Sequence, residues 1–367
     1  MSACVAVPSL LLPTPVAHNA VATMSIPVVD LVGDTLTAAQ EIVSDAAQST
    51  GLVYIRNLPT QPDFEAIQRL FDTLYQSPLL MARLNSTYPK RGVIKLAGKL
   101  TDDEAIDNKV TLDLSAQRLQ YLQDDGLRKD LGIEFDAAVK FFEAVEEKLV
   151  PLVLHATSNV ISTPEVEVDL RDIHREGNNN FRLTDYHRGP TSRRHGCGEH
   201  RDYGTATLIF QDGSGGLEFE DPSTKQWLPI PGNETVLVWG WCGHVLSGGK
   251  IRVVKHRVKA IESARRNTAI CFLAPDLNTP LQPLVDPVGR FADTVREGKV
   301  SVEMFKEMMG KKWRRREGNE KDEPSRSVVV LSPYLVLWPL AVLYLVSLLP
   351  TPNQMKQFTS KSREQFQ

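Results

Sequence analysis

Hydrophobic positions in the first half of the chain recur with the spacing of amphipathic helices. Apolar side chains return every three or four residues across 64–74 and 135–149, which places them on one face of each predicted helix. A further helix is predicted to begin with a capping box at Thr37. The helix through 135–149 is expected to end near Pro151, because proline disrupts a helix interior.

The pattern changes at Phe181, where short β-rich segments begin to alternate with Gly, Pro, Asn and Asp turns. This rhythm continues to about Pro275 and is typical of a sandwich or jelly roll, not of a parallel sheet with crossover helices. The predicted strands are 181–186, 204–210, 216–220, 234–240, 251–260 and 267–273.

The same change of pattern divides the chain into regions. We expect a flexible extension at 1–23, a helical and strand region at 24–175 that packs on the core, and a jelly-roll catalytic region at 176–310. The predicted remainder is a charged linker at 311–327, an apolar segment at 328–350 and a polar tail at 351–367.

Composition narrows the class of protein only slightly. The 367 residues are 42% hydrophobic and 24% charged with a net charge of -3, which is ordinary for a globular protein and predicts no affinity for nucleic acid. The four cysteines form no CxxC pair, which favours a reducing, cytoplasmic location. The sequence predicts no oligomeric state.

The apolar segment 328–350 leaves two interpretations open. It is uncharged from Val328 to Leu349 and follows a cluster of basic residues, so it could be an anchor crossing a bilayer of about 30 Å. The charge bias would then leave the catalytic region on the cytosolic side of the membrane. The alternative is a non-native tail appended to a soluble enzyme.

Three side chains in the β-rich region form a candidate metal site. His200 and Asp202 are two positions apart, so on a strand they would face the same way, and His256 lies in another β-branched segment. Two imidazoles and one carboxylate on one side of an ion form the facial triad of iron(II) oxygenases. The alternatives are a surface His-x-Asp pair and a core histidine at position 256.

Other residues compete for the metal. His187, His195 and His244 are rival ligands, and Cys197 lies three positions before His200 in a way that could suggest zinc. A structural zinc site normally has four ligands with clustered thiolates, and no second cysteine is near Cys197 in sequence.

A candidate anion contact follows the third ligand. Arg266 and Thr268 share one face of a predicted strand, and a guanidinium beside a hydroxyl suits a carboxylate. Neighbouring strand residues face opposite ways, so at most one of Arg265 and Arg266 should point inward, unless both form a solvated basic pair. Tyr186 could donate its phenol to the same ligand or be a core tyrosine.

These residues, taken in order, resemble a known family. Segments 26–31 and 50–55, the His200 segment 198–208, and the later segments 256–258 and 266–268 are similar to the isopenicillin-N-synthase-like branch of the 2-oxoglutarate/Fe(II)-dependent dioxygenases. The resemblance covers most of residues 25–310. Thr268 stands where the family usually has serine, which keeps the hydroxyl.

The resemblance implies a mainly β fold with flanking helices around a double-stranded β-helix (jelly roll) core. It implies Fe(II), 2-oxoglutarate and O2 as reactants, and hydroxylation of a C–H bond in a small organic molecule, for example a secondary metabolite such as a polyketide. The alternatives are an Fe(II) oxidase of the same fold that does not use 2-oxoglutarate, and a non-catalytic jelly-roll binding protein. The implied iron ligands are His200, Asp202 and His256, and the implied 2-oxoglutarate contacts are Arg266, Thr268 and Tyr186.

Overall fold

The computed structural model describes residues 25–85, 92–95, 109–124, 126–175, 177–186, 195–259 and 264–316. The helices are α1 Leu36–Gln48, α2 Phe64–Gln76, α3 Pro78–Asn85, α4 Ala116–Asp124, α5 Leu127–Lys148, α6 Val150–Ile161, α7 Trp241–Leu246, α8 Asp293–Arg296 and α9 Val302–Arg316. The strands are β1 Val28–Asp30, β2 Leu52–Arg56, β3 Val93–Lys95, β4 Lys109–Asp113, β5 Asn180–Tyr186, β6 His195–His200, β7 Ala206–Gln211, β8 Leu217–Glu220, β9 Trp227–Pro229, β10 Thr235–Trp239, β11 His256–Lys259 and β12 Arg266–Leu273.

The strands form two sheets. The larger sheet has the order β1-β2-β10-β7-β12-β5-β4-β3, and the smaller sheet has the order β6-β11-β8-β9. All neighbouring pairs are antiparallel except β1 and β2. From β5 to β12, successive strands alternate between the two sheets, except that β8 and β9 are both in the small sheet. This arrangement is a jelly roll with flanking helices, and the predicted fold class is confirmed.

The two faces of the large sheet bury different sets of side chains. On β12, Ile270 belongs to an apolar cluster between the sheets, whereas Ala269 and Cys271 belong to the cluster beneath the helices. On β7, Ile209 faces inward and Leu208 faces the helices in the same way. This alternation follows from the period of two along a strand. It also leaves the inner face free to carry polar groups at selected positions.

Strands from the first half of the chain extend this sheet. β4 pairs with β5 in the register Lys109 to Tyr186, and β2 pairs with β10. The region 24–175 therefore contributes sheet edges as well as packing helices, although its helices do cover the outer face through residues such as Phe71 and Phe142. Because of this pairing, side chains of β4 reach the interior between the sheets.

One helix boundary differs from the sequence prediction, and another agrees with it. Thr35, not Thr37, caps α1, since its hydroxyl accepts the Ala38 N–H at 3.2 Å. α5 ends at Lys148, near Pro151 as predicted. Pro151 itself lies in the first turn of α6, where its missing N–H costs no helical hydrogen bond.

The C-terminal segments are only partly described. α9 continues to Arg316, so the beginning of the predicted linker at 311–327 is helical. The predicted extension at 1–23, the apolar segment 328–350 and the tail 351–367 lie outside the described residues. None of the helices in the described part is long and apolar enough to span a bilayer.

Candidate metal centre

Two histidines face each other at one end of the small sheet. His256 on β11 pairs directly with His200 on β6, and their ring centres are 4.2 Å apart. Asp202 lies beyond the end of β6, in the turn before β7, so the expectation that it shares a strand with His200 is wrong. The carboxylate nevertheless approaches both rings: Oδ1 is 3.6 Å from Nε2 of His200 and 3.9 Å from Nε2 of His256.

This cluster has the geometry of a metal site. One ligand atom from each of His200, Asp202 and His256 lies within 4.8 Å of the others, and among the described residues it is the only such group of three or more. His256 and Asp202 are buried, and His200 is half-buried. An ion bound here by three protein atoms would keep coordination positions for further ligands.

Neighbouring hydrogen bonds orient the ligands. Nδ1 of His200 lies 2.8 Å from the Gly198 carbonyl, so its N–H donates there and leaves Nε2 as the lone-pair donor. The Thr207 hydroxyl donates to Oδ2 of Asp202 at 2.6 Å, and the Trp241 N–H donates to the Asp202 carbonyl. Such partners fix ligand orientation before the metal arrives. They replace the strand geometry that the sequence suggested for Asp202.

Electrostatics favours a neutral imidazole at His256. Burial, reinforced by the nearby His200, lowers the pKa of His256 to about 4. A neutral imidazole is the form that binds a metal ion. At neutral pH the site therefore needs no deprotonation of His256 before binding.

Arg266 enters the same interior from β12. The side chain is 1% exposed, and Nη2 donates to Oε1 of Gln211 at 2.9 Å. Nε and Nη1 make no hydrogen bond to any described residue, and neither does the Thr268 hydroxyl. Burial lowers the pKa of Arg266. A buried guanidinium with unused donors is costly unless an anion binds to it, so these groups fit a carboxylate.

Arg265 points the opposite way and is held there. Its guanidinium donates to both carboxylate oxygens of Asp185 at 2.7 to 3.0 Å and to Asp72 at 2.6 Å. The Tyr75 hydroxyl also donates to Asp185. Because adjacent strand residues alternate, this outer network directs Arg266 inward.

Tyr186 lies beside Arg266. The two residues are paired across β5 and β12, and the guanidinium carbon is 4.9 Å from the centre of the phenol ring. β6 crosses this ring at Gly196, where an added Cβ would lie 2.8 Å from the ring. A glycine is therefore required at position 196 for the sheets to close over Tyr186.

His244 and Cys197, two of the rival ligands, do not join the cluster. His244 uses Nδ1 on the Ile251 carbonyl at 2.6 Å, and Cys197 lies 3.9 Å from Nδ1 of His200, which is the ring nitrogen directed away from the cluster. His195 is on β6 opposite Lys259, and His187 lies outside the described residues.

Sequence reasoning missed several polar residues of the interior. Thr207 and Gln211 contact the metal ligand and Arg266 from β7, and Lys109 enters from β4. Their signal was the alternation of polar and apolar residues on strands. That signal alone does not say which strands become neighbours.

Fold and site together define a class: a jelly-roll protein with a His-Asp-His metal site and a buried arginine in one interior. The donor set fits Fe(II), and the unused donors of Arg266 and Thr268 fit the distal carboxylate of 2-oxoglutarate. Residues 177–275 match the family described as the 2OG-Fe(II) oxygenase superfamily. The matching segment contains His200, Asp202, His256, Arg266 and Thr268.

Curated relatives are similar to this protein over part of the chain. The 2-oxoglutarate-dependent dioxygenase tropC of Talaromyces stipitatus is 36% identical over 98 residues, which is 26% of this chain and 30% of that protein. Clavatol oxidase claD of Penicillium crustosum is 34% identical over 24% of this chain and 27% of its own length. The match thus spans less than a third of either relative.

Solved structures share the fold over most of the chain. The dioxygenase for auxin oxidation 1 from Arabidopsis thaliana, solved with 2-oxoglutarate, has a TM-score of 0.57 and 21% identity, covering 71% of this chain and 98% of that one. A 2OG-Fe(II) oxygenase family protein from Caulobacter crescentus has a TM-score of 0.60 and 17% identity, covering 79% of this chain and 100% of that one.

Proposed function

We propose that this protein is a 2-oxoglutarate-dependent Fe(II) dioxygenase that hydroxylates a C–H bond of a small organic molecule. The observation that carries the proposal is the presence, in one interior, of the His200, Asp202 and His256 cluster and a buried Arg266 with unused donors. A metal site alone would suit many proteins. The buried guanidinium of Arg266 narrows the choice to metal-binding proteins that also bind a carboxylate.

One group of residues in the interior would bind the metal, and another would bind the co-substrate. His200, Asp202 and His256 would hold Fe(II), which together with 2-oxoglutarate and O2 supplies the oxidising chemistry and releases succinate and CO2. Arg266 would pair with the distal carboxylate of the co-substrate, and the Thr268 hydroxyl would donate beside it. The role of Tyr186 is to pack against the guanidinium and to offer its phenol on the same side.

The substrate would enter on the metal side of this interior. Phe272 lies opposite Thr207, the residue that holds Asp202, and the Arg182 guanidinium carbon is 5.4 Å from the centre of the Phe272 ring. Asp113 holds Arg182 with two hydrogen bonds of 2.6 and 3.2 Å. An aromatic ring beside a fixed guanidinium suits a small organic molecule that carries polar oxygens.

Relatives guide the substrate class. Two of the similar fungal proteins are called a 2-oxoglutarate-dependent dioxygenase and a clavatol oxidase. The distant fungal relatives include dioxygenases of secondary metabolism. A secondary metabolite, with polyketides included, is therefore our proposed substrate class. Cytoplasmic location, and a membrane tether through 328–350, remain predictions from the sequence.

Conversion of 2-oxoglutarate to succinate tests the proposal. The purified protein with Fe(II) and 2-oxoglutarate in air is expected to release succinate slowly even without substrate, and Arg266→Met should lower this release at subsaturating 2-oxoglutarate. Lys259→Met is the matched control, because that side chain is 62% exposed and lies on β11 near the site. Release that requires no Fe(II), or that is equal in the Arg266→Met protein, would contradict the proposal.

An oxidase that does not use 2-oxoglutarate is the second candidate. It is favoured by the 34% identity to the 1-aminocyclopropane-1-carboxylate oxidase of Dictyostelium discoideum, which covers 28% of this chain and 30% of that protein. Such an oxidase would consume O2 with its substrate without forming succinate. A non-catalytic binding protein would not retain iron in stoichiometric amounts.

A further inference from the structure

The side chain of Gln211 connects Arg266 to the turn that precedes β10. Its Oε1 accepts a hydrogen bond from Nη2 of Arg266 at 2.9 Å. Its Nε2 donates to the Pro231 carbonyl at 3.1 Å and to the Glu234 carbonyl at 2.9 Å. Gln211 is only 8% exposed. Three hydrogen bonds therefore hold a buried amide beside the guanidinium.

These bonds leave the amide of Gln211 only one favourable orientation. A primary amide has two N–H donors on its nitrogen and an acceptor on its oxygen. Turned by half a rotation, it would place its oxygen against two carbonyl oxygens and its N–H groups against a guanidinium, which has no acceptor. The carbonyls of Pro231 and Glu234 therefore direct the oxygen of Gln211 toward Arg266.

The turn that supplies the two carbonyls is closed and tightly packed. The Glu234 N–H donates to the Pro231 carbonyl at 3.2 Å, and the Gly213 N–H donates to the Gly232 carbonyl at 3.1 Å. A Cβ added at Gly232 would clash with the Gly213 carbonyl. The Glu234 carboxylate also accepts a hydrogen bond from Nε of Arg56 at 3.1 Å. The support for Gln211 is thus a fixed part of the framework.

Strand β7 carries an orienting residue for each part of the site. Thr207 donates to the metal ligand Asp202, and Gln211 accepts from Arg266. Residues four positions apart on a strand share a face and lie about 13 Å apart along it. One strand therefore supports both the metal ligand and the buried guanidinium.

We propose that Gln211 is a positioning residue for the co-substrate: by fixing the guanidinium of Arg266, it sets the affinity for the distal carboxylate of a dicarboxylate 2-oxo acid. The inference rests on the proposed function, since it concerns the same bound molecule. A free arginine side chain has many rotamers, and a donor that is already held in its binding orientation loses less freedom when the ligand binds. Nε and Nη1 of Arg266 make no hydrogen bond to any described residue, so they remain for the ligand.

A pair of 2-oxo acids separates recognition of the distal carboxylate from packing. 2-Oxoglutarate and 2-oxopentanoate share the five-carbon chain and the keto acid end, but only the former has the distal carboxylate. Their dissociation constants are to be measured by calorimetry on Fe(II)-loaded protein without oxygen.

Two variants and one control make up the test. Gln211→Met removes the acceptor at similar side-chain length, and Gln211→Glu keeps an acceptor but places a competing negative charge beside Arg266. Ile209→Val is the packing control, because Ile209 is buried on the inner face of the same strand. Thermal unfolding shows first that each protein folds, and Gln211→Leu replaces the methionine variant if that protein does not.

Gln211→Met is expected to weaken 2-oxoglutarate binding by about tenfold, the size of a lost hydrogen bond to a charged group, while 2-oxopentanoate binding changes by less than about twofold. Gln211→Glu should weaken 2-oxoglutarate binding at least as much, because its carboxylate pairs with the guanidinium. In the succinate assay KM for 2-oxoglutarate should rise and kcat should stay near the wild-type value, since Gln211 acts through Arg266. Ile209→Val should leave the ratio of the two dissociation constants unchanged.

Two results would overturn the inference. An equal loss for both acids in Gln211→Met would mean that Gln211 only supports packing at this end of β7. Unchanged or tighter binding of 2-oxoglutarate in that variant would mean that Arg266 needs no orienting partner.

Arg266→Met distinguishes these failures from failure of the proposed function. If the wild-type protein shows no preference between the acids and Arg266→Met changes nothing, the proposed co-substrate itself is wrong. If Arg266→Met abolishes the preference and Gln211→Met keeps it in full, only the positioning role of Gln211 is wrong.

Discussion

The hydroxyl of Thr207 offers a direct test of how the protein prepares its metal site. It donates to Oδ2 of Asp202 at 2.6 Å, and the side chain is 1% exposed. Thr207→Val replaces the hydroxyl by a methyl group of nearly the same size, so it removes the hydrogen bond without opening a cavity. The other carboxylate oxygen, Oδ1, is the one that faces the two imidazoles.

The expected magnitude follows from two independent considerations. A hydrogen bond to a charged group contributes about 1.5–3 kcal/mol. Removing an outer partner of a metal ligand commonly lowers metal affinity by about 10–100-fold, which corresponds to roughly 1.4–2.7 kcal/mol. Because these ranges agree, we expect Thr207→Val to weaken Fe(II) binding by about 10–100-fold, mainly through loss of carboxylate orientation.

Anaerobic titration with Fe(II) measures this effect, and Thr205→Val is the matched control. Thr205 is buried near Thr207, but its hydroxyl lies 2.9 Å from Nε2 of His174, whereas the Thr207 hydroxyl donates to Asp202. Thermal unfolding of both proteins should precede the titration to show that they fold. If Thr207→Val binds Fe(II) as tightly as the wild type, or if Thr205→Val weakens binding equally, the proposed orienting role is refuted.

Three further predictions concern the framework of the site. Gly204→Ala should destabilise the fold by about 3 kcal/mol in urea unfolding, since the added Cβ would lie 2.3 Å from the Leu273 carbonyl; an unchanged midpoint would refute this close approach. Arg265→Met should cost about 3–5 kcal/mol of unfolding free energy, because it removes the bidentate partner of Asp185, whose side chain is 0% exposed; a loss below about 1 kcal/mol would indicate a surface-type pair. Burial lowers the pKa of His174 from the usual 6.5. The contribution of His174 to stability is therefore present above pH 6.5 and is lost as the pH falls from there through the folded-state pKa. His174→Gln should flatten the slope of unfolding free energy against pH in that range, and an identical slope in the variant would exclude His174 as its cause.

The two histidine ligands could be predicted because their signals are local. His256 lies at the start of β11 in a β-branched segment, and His200 lies two positions before Asp202. The reason given for Asp202 was wrong, since the residue lies in a turn and is oriented by Thr207 and a backbone hydrogen bond. Hydrogen bonds between residues that are not strand neighbours leave no periodic mark in a sequence.

Tyr186 pairs with Arg266 on one side and with Lys109 on the other, so the three residues form a row across β12, β5 and β4. This row illustrates what the sequence could not provide. Alternation predicts that Arg266 and Tyr186 point to one face of their strands, but it does not say which strands pair. Lys109 joins this row only because β4 lies next to β5, although the two strands are far apart in the chain. Such pairing depends on the packing of the whole sheet.

Anaerobic addition of Fe(II) and 2-oxoglutarate tests the central claim most directly. The account predicts one Fe(II) bound per chain, a weak visible charge-transfer band that requires both Fe(II) and 2-oxoglutarate, and loss of that band in His256→Ala. Retention of the band and of one Fe(II) per chain after His256→Ala would contradict the claim, because His256 could then not be a ligand of the iron that binds the co-substrate.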